Sequence, residues 1–219
     1  KENRQVKWDQ LYWANQQAAK TGSDALYYVQ AKHNDNFVMN LASTLTTKLS
    51  KNQTWNIGAV LGRNQGRHYQ TMEDLLGANS FHNINTYAVG NYPKSSDAVQ
   101  YDLNTMGADR TGRLVGKGDK FGYDYDILIH KALVWTNYLA NMGRFHLMVA
   151  GKVGGTDMQR QGYMRNGMFP ENSYGKSGHA KFLDGGGKAS ITWDAGLGNI
   201  VSLGAGYEWR APTARTAFA

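Results

Sequence analysis

The sequence contains no cysteine and only three prolines in 219 residues. Without cysteine the chain has no disulfide framework, no thiol nucleophile and no cysteine ligand for zinc. No stretch approaches the roughly 18 to 20 consecutive apolar residues that a membrane-spanning helix needs, and the mean hydropathy is −0.56. These absences exclude a disulfide scaffold, cysteine-dependent catalysis and a helical membrane protein.

The chain is instead rich in glycine and aromatic residues, with 26 glycines, 13 tyrosines and 6 tryptophans. Aromatic residues favour strands, so this composition points to β structure. The formal net charge of +7 is basic but not extreme. The first residues lack the layout of a signal peptide and the last ones directly follow a strand-like run, so we expect a piece of a longer protein.

Six stretches alternate apolar and polar residues with a period of two, which is typical of strands whose two faces differ. The predicted strands cover residues 25–48 (interrupted at 33–36), 54–61, 123–135, 145–153, 188–193 and 199–209. In the third strand the odd positions include Ile127, Ile129 and Leu133, so we predict that they form the apolar face, with Lys131 as an exception. The opposite faces carry charged residues, which suit a water-filled interior better than a dry core: Asp124, Asp126, His130, Lys152, Lys188 and Glu208.

The predicted connections alternate in length. Short, turn-forming segments at 49–53, 141–143 and 194–198 predict hairpins. Long polar segments cover about 67–120 and 160–181, and the leading segment 1–24 has a similar composition. Short connections at one rim and long loops at the other are typical of a transmembrane β-barrel.

Aromatic residues lie at both ends of the predicted strands. Trp55, Trp135 and Trp193 are beside the short turns, whereas Tyr123, Tyr125, Tyr207 and Trp209 are toward the long loops. Ten residues of tilted strand rise about 25 Å, which matches the height of a lipid-facing band. Because such rings prefer the membrane–water interface, we predict that these seven residues form an aromatic girdle. Six strands do not close a barrel, so the chain is expected to be part of a larger one.

Five segments carry a resemblance to a known family. They are residues 7–15 (KWDQLYWAN), 72–79 (MEDLLGAN), 118–126 (GDKFGYDYD), 164–176 (MRNGMFPENSYGK) and 207–213 (YEWRAPT). In this order they resemble the barrel of the TonB-dependent outer-membrane receptors of the Bacteroidetes type. The resemblance covers nearly the whole chain.

The resemblance implies an all-β fold in which residues 1–219 form part of an antiparallel transmembrane β-barrel of roughly 22 strands, without its plug and N-terminal regions. It further implies an outer-membrane location and uptake of a nutrient, namely a siderophore, haem, cobalamin, a glycan or a peptide. The expected partners are outer-membrane lipid and lipopolysaccharide, TonB through the plug, and a surface lipoprotein. No cofactor is expected.

For substrate contact we favour the loop after the fourth strand. Its aromatic faces and planar hydrogen-bonding groups suit sugars, peptides or chelates, and the candidates are Tyr163, Arg165, Asn166, Glu171, Asn172 and Tyr174. The alternative is a loop held together by the hydrogen bonds of its own asparagines and arginines.

Other functional sites are disfavoured by spacing. The histidines show no paired metal-ligand spacing, and they are His33, His68, His82, His130, His146 and His179. The glycine clusters lack a phosphate-cradle pattern, and no nucleophile, base and acid assemble, so we predict no metal site, no catalytic residues and no enzyme.

The basic residues are concentrated in the long connections. They lack the aromatic interleaving of a nucleic-acid groove, so we expect no nucleic-acid partner. Contact with lipopolysaccharide phosphates and a merely solvated basic surface both remain open. For the whole chain the alternatives are a passive porin or adhesin barrel and a soluble glycan-binding β-sandwich.

Overall fold

The computed structural model describes residues 5–93 and 95–218. Its seven strands are β1 (Val29–Ser50), β2 (Gln53–Asp74), β3 (Lys120–Met142), β4 (Phe145–Gly162), β5 (Gly175–Lys176), β6 (Ala180–Gly196) and β7 (Asn199–Trp209). Two helices, α1 (Trp8–Lys20) and α2 (Ala214–Ala217), and two short 3-10 turns complete it. Within the described ranges no helix is long and apolar enough to cross a membrane.

The strands form one sheet in the order β1-β2-β3-β4-β6-β7, and the two-residue β5 pairs with β4. Pairing is antiparallel where β4 meets β6 and where β6 meets β7. Over the described residues the sheet is open and has β1 and β7 at its ends. The prediction of an all-β chain is therefore confirmed, and each predicted strand overlaps one of the six long ones.

Three tight turns join the strands in pairs. The turns lie between β1 and β2, β3 and β4, and β6 and β7, where the hairpins were predicted. In the last of them Leu197 and Gly198 have φ of 54° and 81°, the left-handed values that a two-residue type I′ turn requires.

The strands are longer than the sequence predicts. β2 continues to Asp74, β4 to Gly162, and β6 begins at Ala180. The long connections are therefore 75–119 and 163–179, and the predicted limits at 67 and 181 are wrong. The interruption predicted at 33–36 is also wrong, because β1 is continuous there, and the leading segment contains α1. The strand ends carry polar side chains on both faces, so they lack the alternation of apolar and polar residues that predicts a strand.

The chain divides into two compact units. The first contains the residues up to Asn36, Gly66–Asp126 and Arg160–Ser177, and the second contains Phe37–Gln65, Ile127–Gln159 and the residues from Gly178 on. The first unit has a small apolar core of buried side chains from strand ends and connections, namely Ala25, Met72, Phe81, Val115 and Phe121. Tyr28 packs edge-on against Phe121, with ring centroids 5.6 Å apart.

Asn15 attaches α1 to other segments of the first unit. Asn15 is fully buried, and its Nδ2 donates to the carbonyl oxygens of Tyr27 at 2.7 Å and Leu75 at 2.8 Å. Its Oδ1 accepts from the backbone N–H groups of Leu26 at 2.9 Å and Tyr27 at 3.1 Å. The side chain thus satisfies backbone groups of two segments that have no strand partner of their own.

In the second unit, cross-strand contacts show which side chains share a face. Trp55 Nε1 donates to Thr136 Oγ1 at 2.7 Å. At the next positions Asn56 Nδ2 donates to Asn137 Oδ1 at 2.6 Å, and the Trp135 indole lies over Gly58, where a Cβ would collide with it. Because neighbouring residues of a strand point to opposite faces, Trp55 and Trp135 lie on different faces.

This corrects the face predicted for β3. Its odd residues, including Trp135, Lys131 and Leu133, lie on the polar face, with Asn56 and Gly58. Its even residues, including Val134 and His130, lie on the face of Trp55, so the prediction that His130 shares a face with Lys152, Lys188 and Glu208 is wrong. The prediction that the odd face of β3 joins the apolar faces of the other strands is wrong. Apolar residues occur on both faces of β3, so alternation within the strand did not decide between them.

The corrected face explains Lys131. Its Nζ lies 3.9 Å from Asp184 Oδ2, and the same carboxylate accepts a hydrogen bond from Thr156 Oγ1. Lys131 is thus a member of a charged network on the polar face, and no longer an exception on the apolar one.

The other face of the second unit is apolar and exposed. The register pairs Phe145 with Trp193 and Ile191 with Leu203. Its large exposed side chains are Phe37, Met39, Leu41, Leu45, Trp55, Leu61, Val134, Phe145, Val149, Val153, Leu183, Ile191, Trp193, Val201, Leu203, Tyr207 and Trp209. We call these residues the apolar band.

Asn15→Ala tests the attachment of α1. It removes the side-chain partners of two N–H groups and three carbonyls, so we expect a loss of about 2 to 3 kcal/mol of unfolding free energy. Gln16→Ala is the control, since Gln16 is exposed, and it is expected to change stability by less than about 0.5 kcal/mol. Thermal unfolding of the intact protein measures both, and equal melting temperatures for the two variants would contradict the role of Asn15.

Candidate ligand-binding surfaces

The loop after β4 starts at a charged cluster in the first unit. Arg67 donates to both oxygens of Asp124, at 3.2 and 3.1 Å, and Lys120 Nζ lies 3.1 Å from Asp124 Oδ2. Tyr163 donates its phenol to Asp126 Oδ2 at 3.0 Å, and its ring lies 4.9 Å from the Arg67 guanidinium carbon. Both carboxylates are buried. The cluster therefore neutralises two buried acids with two bases and a phenol.

Tyr163 is more a member of this cluster than a free binding group. Burial, together with the hydrogen bond to Asp126, raises the pKa of Tyr163, so the phenol stays protonated and donating at neutral pH. Its backbone N–H also donates to Asp124 O at 2.9 Å. The ring of Tyr163 remains partly exposed beside Arg67, and this is the part of the residue that a ligand can reach.

The remaining predicted binding residues largely hold the loop together. Asn166 N donates to Ser173 Oγ at 2.8 Å, and Asn166 Oδ1 accepts from Met168 N at 2.9 Å. Arg165 Nε donates to Pro170 O at 3.3 Å. The loop thus has the self-bonded form that the alternative interpretation describes.

The tip of the same loop is open. The Glu171 side chain is 85% exposed and lies 3.8 Å from Arg165 Nη2. Asn172 and Tyr174 are exposed, as are the apolar side chains of Met168 and Phe169. Binding by Glu171, Asn172 and Tyr174 stays a prediction. Met168 and Phe169 were missed because nothing in their spacing marks them as surface residues.

This loop is attached to the preceding long connection. Asp102 is buried, and its Oδ1 accepts from Arg165 N at 3.0 Å. Leu103 N donates to Arg165 O at 2.8 Å, and Gly167 N donates to Gln100 O at 2.9 Å. A side chain at Gly167 would collide with the carbonyl of Asp97. The two connections therefore form one packed structure within the first unit.

The polar face of the second unit contains a hollow of about 380 Å³. Gly186 and Gly206 lie in its lining, together with Trp135, Lys188 and Lys152, which forms an ion pair with Glu208. Arg210 also donates to Glu208, at 2.7 Å. Cations thus outnumber acids at this hollow. The sequence predicted Lys152, Lys188 and Glu208 on the charged face, but it assigned Trp135 to the other one.

The histidines are dispersed. His33, His68 and His146 bond Thr71, Asn34 and Asn141 respectively, whereas His82 and His179 bond Asp24 and Asp157. Among the described residues no group of three or more potential ligands is placed to hold a metal ion.

Several of the basic residues have acidic partners. Arg110 pairs with Asp97, Arg113 with Asp119, and Arg67 and Lys120 with Asp124. Arg63 and Lys181 are exposed, and neither forms an ion pair with a described residue. Lys117 and Lys176 are exposed as well, and the contact with lipopolysaccharide stays a prediction.

No family model, curated protein or solved structure matches the chain.

Arg67→Gln tests the charged cluster. It removes one of the two bases that neutralise two buried carboxylates, so we expect a loss of about 2 to 3 kcal/mol of unfolding free energy, reduced from the range for fully buried pairs because Arg67 is partly exposed. Adding Asp124→Asn should restore part of the loss. Lys117→Gln, at an exposed position, is the control. Thermal unfolding of the intact protein decides, and an Arg67→Gln variant as stable as the control would refute the role.

Proposed function

We propose that this chain is part of the β-barrel of an outer-membrane receptor of the TonB-dependent type, which imports a nutrient such as a siderophore, haem, cobalamin, a glycan or a peptide. The observation that carries the proposal is the apolar band. Water-soluble proteins rarely expose contiguous apolar patches larger than a few hundred Å², whereas a lipid-facing surface is apolar by necessity.

The height of the band suits a bilayer. On β1 it extends from Phe37 to Leu45, which is eight residue steps or about 20 Å for a tilted strand. On β7 it extends from Val201 to Trp209. β7 has 11 residues, within the roughly 9 to 11 that cross a membrane. β1 to β4 and β6 have 17 to 23 residues, so their remaining parts would stand outside the membrane.

Rings at the two limits of the band support an interfacial girdle. Phe145 and Trp193 stack beside the short turns, with centroids 6.3 Å apart, and Tyr207 and Trp209 lie 5.8 Å apart at the other end of β7. Trp135 does not fit this girdle, because it lies on the polar face. Tyr123 and Tyr125 are odd residues of β3, like Trp135, so they do not fit the girdle either. Tyr125 stacks against His68 at 5.1 Å, on the side of β3 opposite Asp124.

The polar face supports a water-filled interior. Lys131 faces Asp184, and Lys152 pairs with Glu208. Asn56, Asn137 and Lys188 add hydrogen-bonding groups and charge that are expensive to bury in a dry core. In a soluble β-sandwich one face would be covered by a second sheet, and neither face of this sheet has such a layer among the described residues.

Paired substitutions on β7 test the orientation of the faces. Leu203 belongs to the band and Ser202 to the polar face, so Leu203→Arg should impair membrane assembly of the whole protein by about 2 to 4 kcal/mol while Ser202→Arg is tolerated. On β3, Val134→Arg should be harmful and Leu133→Arg mild. Folding into lipid vesicles measures all four. Equal tolerance within either pair would refute the assigned faces.

Active uptake needs a separate test. Cells carrying the whole protein should accumulate the nutrient against its gradient only while TonB and the proton gradient are intact. Uptake that continues without TonB would identify a passive porin, and no uptake of any of the five nutrient classes would leave the adhesin alternative.

A further inference from the structure

We propose that the apolar band has a specific binding site for a phosphorylated lipid at its edge nearest the long connections. An acyl chain would lie in a slot over Gly155, and the phosphate would lie at Arg63 and Lys181. The inference rests on the proposed membrane location and adds to it a defined lipid site.

A slot of about 450 Å³ lies across β2, β3, β4 and β6. Six of its ten lining residues belong to two neighbouring rows of the apolar face. The row within the band contains Leu61, Ala132 and Gly155. The next row toward the long connections contains His130, Asp157 and Lys181. The other four, Gly62, Lys131, Thr156 and Phe182, belong to the strand positions between these rows, whose side chains point to the polar face.

A slot on the polar face would also be lined by the neighbouring polar-face residues, such as Leu133 and Asp184, and these are not in its lining. The slot therefore opens on the apolar face.

The floor of the slot is small and its side walls are apolar. The register pairs Gly155 with Leu183, and Ala132 and Leu61 also line the slot. Gly155 and Ala132 have small side chains, which leaves a depression between Leu61 and Leu183. A depression bounded by Leu61 and Leu183 can accept an acyl chain by burial of apolar surface.

The row nearer the long connections carries two cations, Arg63 and Lys181, and one acid, Asp157. The register places Asp157 beside Lys181, and the Asp157 carboxylate lies 2.9 Å from His179 Nδ1. Arg63 lies two residues beyond Leu61 on the same face of β2 and is exposed, as are Lys181 and His130. Guanidinium and ammonium groups just above an apolar surface attract the phosphate of a lipid headgroup.

This position distinguishes a phosphorylated lipid from a free anion. A free phosphate has no acyl chain to bury in the apolar slot. A zwitterionic lipid has an acyl chain, but its headgroup has no net negative charge to neutralise Arg63 and Lys181. Only a ligand with an acyl chain and a net negative headgroup uses both rows.

Native mass spectrometry of the whole detergent-extracted protein tests the site. With equal amounts of dioleoyl phosphatidic acid and dioleoyl phosphatidylcholine, we expect about a 30-fold preference for phosphatidic acid, as two cations near one phosphate provide. The variant Arg63→Gln with Lys181→Gln should lose this preference. A wild-type protein without preference, or a preference that survives the double substitution, overturns the proposal.

Gly155→Leu tests the slot without changing any charge. A Cβ there would lie 3.7 Å from the carbonyl oxygen of Phe182, an ordinary contact, so the side chain is accommodated. Gly151→Leu is the matched control on the same face of β4, where a Cβ would lie 3.9 Å from Gly186 O. Phosphatidic acid binding should fall about tenfold only in Gly155→Leu. An equal effect of both substitutions overturns the acyl slot.

The two proposals fail in different ways. If the wild-type protein stays in solution after detergent is withdrawn, the membrane location fails and the lipid site falls with it. If the protein inserts into vesicles but shows no preference between the two lipids, only the lipid site is refuted.

Discussion

A strand places successive side chains on opposite faces, and its register with the neighbouring strands decides which face of the sheet each set joins. In the second unit this constraint collects Leu41, Val149 and Leu203 on one face, all exposed, and Asp184 and Glu208 on the other. Backbone hydrogen bonds hold the strands together whichever solvent each face meets. Exposing the apolar face to water costs free energy, and contact with lipid would remove this cost. This argument is the basis of the functional proposal.

The course of the strands was predictable from residue alternation, but the face of β3 was not. Strand 123–135 has Ile129 and Leu133 on one side and Leu128 and Val134 on the other, so both sides are apolar enough to meet lipid. The deciding contacts, Trp55 to Thr136 and Trp135 to Gly58, join residues about 80 positions apart in the sequence. Only Lys131 signalled the error, because a lysine suits the face that also carries Asp184.

The long connections were predictable in position but not in structure. Composition marked them as polar loops, yet their order depends on single buried polar side chains. Asn83 Oδ1 accepts from Gly122 N at 2.9 Å, and Asp102 Oδ1 accepts from Arg165 N at 3.0 Å. Such bonds satisfy backbone groups outside the regular ladder, and their partners are far apart in the sequence. The predicted site at Asn166 illustrates the limit, since residue type alone does not separate a binding amide from one that closes its own loop.

The segments that carry the family resemblance have structural roles in this chain. Residues 7–15 contain Asn15, which attaches α1, and residues 72–79 contain the buried Met72. Residues 207–213 include Ala211, whose N–H donates to the buried Asp184 at 2.6 Å. The resemblance therefore rests on residues with structural roles, such as Asn15, Met72 and Ala211. It concerns how the connections fold onto the strand ends and says little about the exposed loop tips. A search for a ligand should therefore start from the exposed side chains of the loop tip, such as Phe169 and Tyr174.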